Sequence, residues 1–160
     1  MKTLLLTLCF VLMTPKLEVA KDPIIGTWKM TKLVWEYEDG TIKDRALGKH
    51  TFHKTFTYYG DGTLVFREYL YNDETDRFDL PGNEITKGTW VKGEGQEYQR
   101  EMKRYYGDKI SSTYPNSPKV FVFSEDQNSM QIITDFEKDG TVFEGDSKPV
   151  KEVAYFVRMR

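Results

Sequence analysis

Residues 23–33 read PIIGTWKMTKL, and residues 153–160, at the far end of the chain, read VAYFVRMR. The first stretch opens an extended run directly after Asp22-Pro23. Successive side chains alternate across a strand, so Trp28, Met30 and Val34 are expected on one face, interrupted by Lys32. The closing stretch alternates as well. Val153, Tyr155, Val157 and Met159 form one row, and Ala154, Phe156, Arg158 and Arg160 the other. In an up-and-down barrel the first and last strands are neighbours, so an arginine from one end of the chain can lie flat over the indole at the other. A guanidinium over a Trp face contributes about 0.5–2 kcal/mol, depending on desolvation. Arg158 is the first choice for that contact and Arg160 the second. The pair predicts a tube closed by its own termini, with Gly26, Trp28 and Arg158 as the closure and Trp28 as a plug.

The intervening chain reads as strand, turn, strand. EDGTI at 38–42, GDGTLV at 60–65 and KDGTV at 138–142 share one signature. Asp-Gly accepts the positive φ of a tight hairpin, and Thr then opens a β-branched strand. Further breaks are expected at DLPGN (79–83), YPNSP (114–118) and EGDSKP (144–149). Strands are predicted near 26–37, 50–59, 63–71, 85–92, 97–105, 119–124, 129–136 and 151–159, with a short one through 141–144. EYQREMKRYY at 97–106 is the one ambiguous segment. Its Tyr98, Arg100, Met102 and Arg104 alternate as in a strand, whereas Tyr98, Met102 and Tyr105 also sit at helical spacing; the strand is preferred. Eight to nine antiparallel strands joined by short turns suit a closed barrel or a sandwich. Closure leaves no exposed edges. The fold class predicted is therefore all-β, a single antiparallel up-and-down barrel, occupying residues 21–160.

Composition agrees with one packed domain. The chain has 160 residues with ten Tyr and ten Phe, enough rings to fill a small core. Hydrophobic residues at 39% and charged residues at 30% exclude a disordered chain. A formal net charge of -2 leaves no polybasic footprint for nucleic acid or an anionic membrane. Residues 1–20 differ from the rest: Lys2 is followed by TLLLTLCFVLM, an apolar run of signal-peptide length that is too short to span a bilayer. They are read as a secretory signal, with an uncleaved membrane anchor as the alternative; the signal reading places the protein in the periplasm, at a bacterial cell surface or outside the cell, with no membrane attachment once the signal is removed. Cys9 is the one cysteine and lies in that run, so the remainder has no disulfide, thiol nucleophile or cysteine metal site.

IIGTWKMTKL, KTFTYYGDGTLVF, ITKGTWVKGEGQEY and EVAYFVRMR, taken in order, resemble the lipocalin-like (calycin) families, which share a Gly-x-Trp at the start of the first strand and an Arg in the last. It also resembles small lipocalin-like proteins exported by gut-type bacteria, of the DUF4488 kind. The resemblance spans residues 24 to 160 and implies a binding barrel. EYQREMKRYY fits only loosely the Tyr- and Glu-rich strand such families place there. The second Gly-Thr-Trp, in GTWVKGEGQEY, resembles the opening of nitrobindin-type haem barrels. Those barrels need an axial His in a late strand, and the only histidines here are His50 and His53. The two copies are therefore read as a barrel start and a middle strand of similar composition, not as a repeat.

Chemistry beyond binding finds little support. His50 and His53 are three apart on a predicted strand and point to opposite faces, so no shared metal is expected. No zinc, calcium, phosphate-loop or nucleophile-elbow motif is present. Ser111, Ser112 and Ser117 fall in a predicted loop with no obvious base. The pairs Glu36 and Glu38, or Glu97 and Glu101, sit at strand spacing, which solvated faces explain. No enzymatic activity and no cofactor are expected.

Cations on apolar rows are more informative. Lys54 lies between Phe52 and Phe56, and Arg100 and Arg104 share a row with Tyr98 and Met102. If those rows face inward, Lys54, Phe56, Phe66, Trp90, Tyr98, Arg100, Met102, Arg104 and Ile132 line a cavity. An apolar cavity with a few cations suits a small hydrophobic or amphipathic anion, such as a fatty acid. The opposing expectation is an interior filled by Trp28, Phe52, Phe56, Phe66 and Trp90. The barrel would then contact protein or glycan through outer rings such as Tyr69, Tyr71, Tyr105 and Tyr106.

Overall fold

In the computed structural model of the chain, residues 21–45, 53–80, 82, 84–143 and 148–160 are described. The signal-peptide reading of residues 1–20, and the positions of His50 and Phe52, lie outside them. The strands are β1 (Gly26–Tyr37), β2 (Ile42–Arg45), β3 (His53–Tyr58), β4 (Thr63–Asn72), β5 (Arg77–Asp79), β6 (Glu84–Lys92), β7 (Glu97–Tyr106), β8 (Lys109–Phe123), β9 (Ser129–Asp135) and β10 (Pro149–Arg158). One helical turn, α1 (Phe136–Asp139), precedes β10.

The sheet order is β10-β9-β8-β7-β6-β4-β3-β1, and β1 pairs with β10, so these strands close into an antiparallel barrel. The seam runs from Trp28 opposite Arg158 to Tyr37 opposite Pro149. β2 and β3 lie end to end along the other edge of β1, opposite Leu33–Glu36 and Gly26–Lys29 respectively. β5 pairs only with the far half of β4. The segment 97–106 is a strand, β7, as its alternation of buried and exposed residues requires.

Four local expectations are corrected. First, the register of β1 against β10 shifts between Met30 and Lys32, a bulge at Thr31. A one-residue slip exchanges the two faces, so Leu33, not Val34, continues the inward row after Trp28 and Met30. Second, KDGTV is not a hairpin. Asp135 caps α1, and Gly140, at φ 71°, ends it by donating its N–H to the carbonyls of Glu137 and Phe136. The left-handed conformation that Gly62 supplies in the hairpin at 60–63 serves here as a helix stop. The short strand expected through 141–144 is accordingly absent over 141–143, the part that is described. Third, YPNSP does not break the chain, because β8 runs straight through it and carries Ser111 and Ser112 on a strand. Pro115 falls where the β7–β8 register shifts, and Pro118 lies before Val120, where pairing with β9 begins. Prolines are tolerated at such bulges and free edges, where no ladder N–H is lost. Fourth, β2 and β5 were not foreseen, being short and largely charged.

The inward rows meet in one core. Ile24, Trp28, Met30, Phe56, Tyr58, Leu64, Trp90, Tyr98, Phe121, Met130, Ile132, Ala154 and Phe156 are all buried in a single cluster. Tyr58 stands edge-on to Trp90 and to Phe121, with ring centroids 6.2 and 6.1 Å apart. Such edge-to-face pairs add to the stabilisation from buried area.

Candidate functional site

The two ends of the barrel differ in chemistry. At one end the segment Asp22–Ile25 crosses the opening. Trp28 is fully buried and donates its indole N–H to the carbonyl of Ile24 at 2.7 Å. The Arg158 guanidinium lies 4.3 Å from the Trp28 ring centroid. It also donates to the carbonyls of Ile25, Pro23 and Gln127 at 2.7–2.8 Å. A Cβ on Gly26 would stand 2.6 Å from Nη1 of Arg158, so Gly26 leaves room for that side chain. Gly26, Trp28 and Arg158 thus form a structural seal.

A second latch holds the same end. The Asp22 carboxylate accepts from the Ile24 N–H at 3.0 Å and the Tyr98 hydroxyl at 2.8 Å, and lies 3.2 Å from Nζ of Lys92. Burial alone would raise the Asp22 pKa, but these donors outweigh it and hold the carboxyl below its ordinary value. A depressed carboxyl contributes stability that is fully present above the unfolded pKa of about 3.9 and is lost as pH falls through the lower folded value. Asp22→Asn is expected to flatten the dependence of the unfolding free energy on pH below about pH 4. Urea titrations at pH 2–5 check this; an unchanged slope would show that the latch does not act.

The opposite end is a polar mouth. Arg104 reaches Glu84 at 3.6 Å and Glu68 at 4.0 Å, and Lys54 pairs with Glu68 at 3.3 Å. Lys119 meets Asp139 at 3.5 Å and donates to the hydroxyl of Thr134 at 3.2 Å. Trp35 donates its indole N–H to Glu152 at 2.9 Å. Burial, together with the nearby charge of Arg100, lowers the Lys119 pKa.

Between seal and mouth lies Arg100, 7% exposed. Its guanidinium carbon is 5.1 Å from the Phe56 ring centroid and 5.5 Å from that of Phe121, and its Nη1 donates to the Tyr58 hydroxyl at 3.0 Å. Its Nε–H has no partner among the described residues, and no carboxylate there lies at ion-pair distance. The Tyr58 hydroxyl accepts from Arg100, and its own proton has no acceptor among the described residues. Burial pushes the Tyr58 pKa up, partly opposed by Arg100, so the phenol keeps that proton. Two adjacent buried donors are therefore unfilled. A buried donor without a partner costs about 1–3 kcal/mol, and a charged one more. The aromatic faces on Arg100 offset only part of that cost.

The nine candidate lining residues divide into three groups. Trp90, Tyr98 and Ile132 are spent on packing near the seal and in the core. Lys54 and Arg104 sit at the mouth, each in an ion pair, with Phe66 and Met102 half-buried beside the core. Phe56 and Arg100 meet in the middle. The space bounded by Phe66, Glu68, Glu84, Thr86 and Arg104 is about 20 Å³, room for one water. Tyr58 lies two positions beyond Phe56 on the same strand face, but its place beside Arg100 depends on strands far apart in the chain. Asp22 carried a local signal, an Asp directly before a Pro-opened strand.

Among the described residues no group of three or more His, Cys, Asp or Glu side chains converges as a metal site, and no helix is long and apolar enough to cross a membrane. No protein-family model matches the chain, and no curated protein does either.

Proposed function

We propose that this barrel is an exported, non-enzymatic, lipocalin-like binding protein, and that Arg100 and Tyr58 hold the charged head of a small amphipathic anion. The carrying observation is the pair of unfilled donors, Nε–H of Arg100 and O–H of Tyr58, buried against Phe56 and Phe121. A carboxylate accepts from both at once, and charge-assisted hydrogen bonds of this kind are the strong ones. The seal of Gly26, Trp28 and Arg158 on a closed antiparallel barrel supports the lipocalin-like reading. With only about 20 Å³ free at the mouth, the ligand head enters by displacing the partly buried Arg104 and Glu68.

Dodecanoate titrated into the full chain by calorimetry tests the proposal, beside native mass spectrometry of protein from its own host. Saturable binding that weakens about tenfold or more in Arg100→Met is the expected result. The same variant is expected to gain about 1–2 kcal/mol in stability, because it removes a buried charge that lacks a counter-ion. Equal affinity in both proteins, or no binding by either, would remove Arg100 as an anchor. The tightness of the mouth favours a second reading, an interaction barrel contacting protein or glycan through exposed rings such as Tyr106. It predicts that no small molecule co-purifies.

A further inference from the structure

The outer wall of the barrel carries a feature the interior does not explain. Register places Lys29 opposite Thr55, and Thr55 opposite Arg67, in a single rung across β1, β3 and β4. Neighbouring strands are about 4.8 Å apart, so two cations flank one hydroxyl at about twice that span. In the adjacent rung the hydroxyls of Thr27 and Thr57 are 3.0 Å apart. Among the described residues no acidic side chain lines this region, and neither Lys29 nor Arg67 has an ion pair. A solvated sheet face ordinarily interleaves signs, because like charges in register destabilise one another.

The rung is also walled. β5 carries Phe78 onto the ring of His53, stacked at 3.5 Å and 10°. Tyr71 meets Phe78 edge-on at 5.2 Å, and the Asn72 side chain donates to Asp79 at 3.1 Å, pinning the β4–β5 ribbon. Met159 closes the other side. The result is a groove of about 370 Å³, within the ~300–1,000 Å³ range of small-molecule sites. Thr55, at its floor, is 8% exposed although it points away from the barrel interior. Charges beside such a floor interact more strongly than in open water. Burial, and then the charge of Lys29, holds the His53 pKa below its ordinary value.

We propose that this outer groove is a second binding site, for a small aromatic carboxylate whose anionic group sits between Lys29 and Arg67 and whose ring packs against Phe78. Charge complementarity selects the anion, since the lining offers two cations without an ion pair and no carboxylate among the described residues. The aromatic wall selects a flat ring, and the volume selects one or two fused rings. The site is independent of Arg100: its side chains lie on the outer face of strands whose inner face carries Phe56 and Phe66.

The test is a titration of the full chain with 2-naphthoate, followed by fluorescence, with 2-naphthol and inorganic phosphate as controls. Saturable binding of 2-naphthoate is expected, with both controls weaker by about tenfold or more. Lys29→Gln combined with Arg67→Gln is expected to weaken 2-naphthoate about tenfold or more, and so is Phe78→Ala, which leaves both charges in place. Arg100→Met leaves this binding unchanged. Thermal unfolding of each variant confirms that it is folded. The proposal is overturned if the unaltered chain shows no saturable binding. It is overturned too if the Lys29/Arg67 variant binds as well as the parent, or if binding disappears in Arg100→Met.

Discussion

Trp28→Ala is expected to lose about 3–5 kcal/mol of unfolding free energy, the range for truncating a buried aromatic that leaves a cavity. Three effects add at this position. The fully buried ring is removed from the core beside Phe123, whose centroid lies 5.9 Å away. The carbonyl of Ile24 loses the indole N–H. The Arg158 guanidinium loses the face beneath it. Arg158→Ala is expected to cost less, about 2 kcal/mol, because it removes hydrogen bonds at a rim that water can reach and leaves the plug in place. Equilibrium urea unfolding of both single variants and the double measures the plug and the coupling between the two residues. A loss below about 1 kcal/mol for Trp28→Ala would mean that the indole does not hold the barrel end shut, and closure would then rest on the β1–β10 ladder alone.

That closure was legible because its two parts are local. A Trp after Gly-Thr at the head of a strand, and an Arg on the inward phase of the last strand, need only the alternation of side chains and the adjacency of first and last strands. Most strand positions were legible for the same reason: Asp-Gly-Thr and β-branched runs act within a few residues. Errors arose where one local pattern has two structural uses. Gly140 adopts the same left-handed conformation as Gly62, but the preceding Phe-Glu-Lys-Asp turns as a helix because Asp135 caps it. The bulge at Thr31, which moves Leu33 inward in place of Val34, leaves no mark in the hydrophobic pattern. YPNSP reads as a break because proline usually ends a strand, yet β8 has a free edge there that tolerates it.

The candidate site was legible by half. Arg100 stood out as a cation on an apolar row. Tyr58, the residue that makes its environment chemically unfinished, comes from a strand forty-two positions away and was one ring among many. The ion pairs that occupy Lys54 and Arg104 were not visible either, since Glu68 and Glu84 meet them only across the mouth. Of the outer groove only Tyr69 and Tyr71 were legible, as outward rings. Its rung exists only once β1, β3 and β4 are in register, and its wall only once β5 folds back over His53.

Gly88→Ala is expected to cost about 3 kcal/mol or more, the upper part of the range for overpacking. A Cβ at this position would lie 1.9 Å from the carbonyl oxygen of Glu101, and 2.9 Å from the Glu101 carbonyl carbon and from Cα of Met102. Those atoms are backbone of β7, so no side chain can swing aside, and β6 and β7 must part. Gly107→Ala is the control: at φ 58°, with nothing within 4 Å of the added carbon, it carries only the left-handed penalty of about 1–2 kcal/mol. Urea unfolding that ranks Gly88→Ala no worse than Gly107→Ala would mean that β6 and β7 do not approach as described. The comparison also separates the two Gly-Thr-Trp stretches. In the first, Gly26 clears space for the Arg158 side chain; in the second, Gly88 clears space for another strand's backbone. Each triplet then delivers a Trp to the same interior, Trp28 at the seal and Trp90 beside Tyr58 and Tyr98. β7 carries Arg100 two residues from Met102, so a chain that pushes β7 outward displaces the buried guanidinium as well. Gly88→Ala is therefore expected to lose dodecanoate binding along with stability, whereas Arg100→Met loses the binding and gains stability.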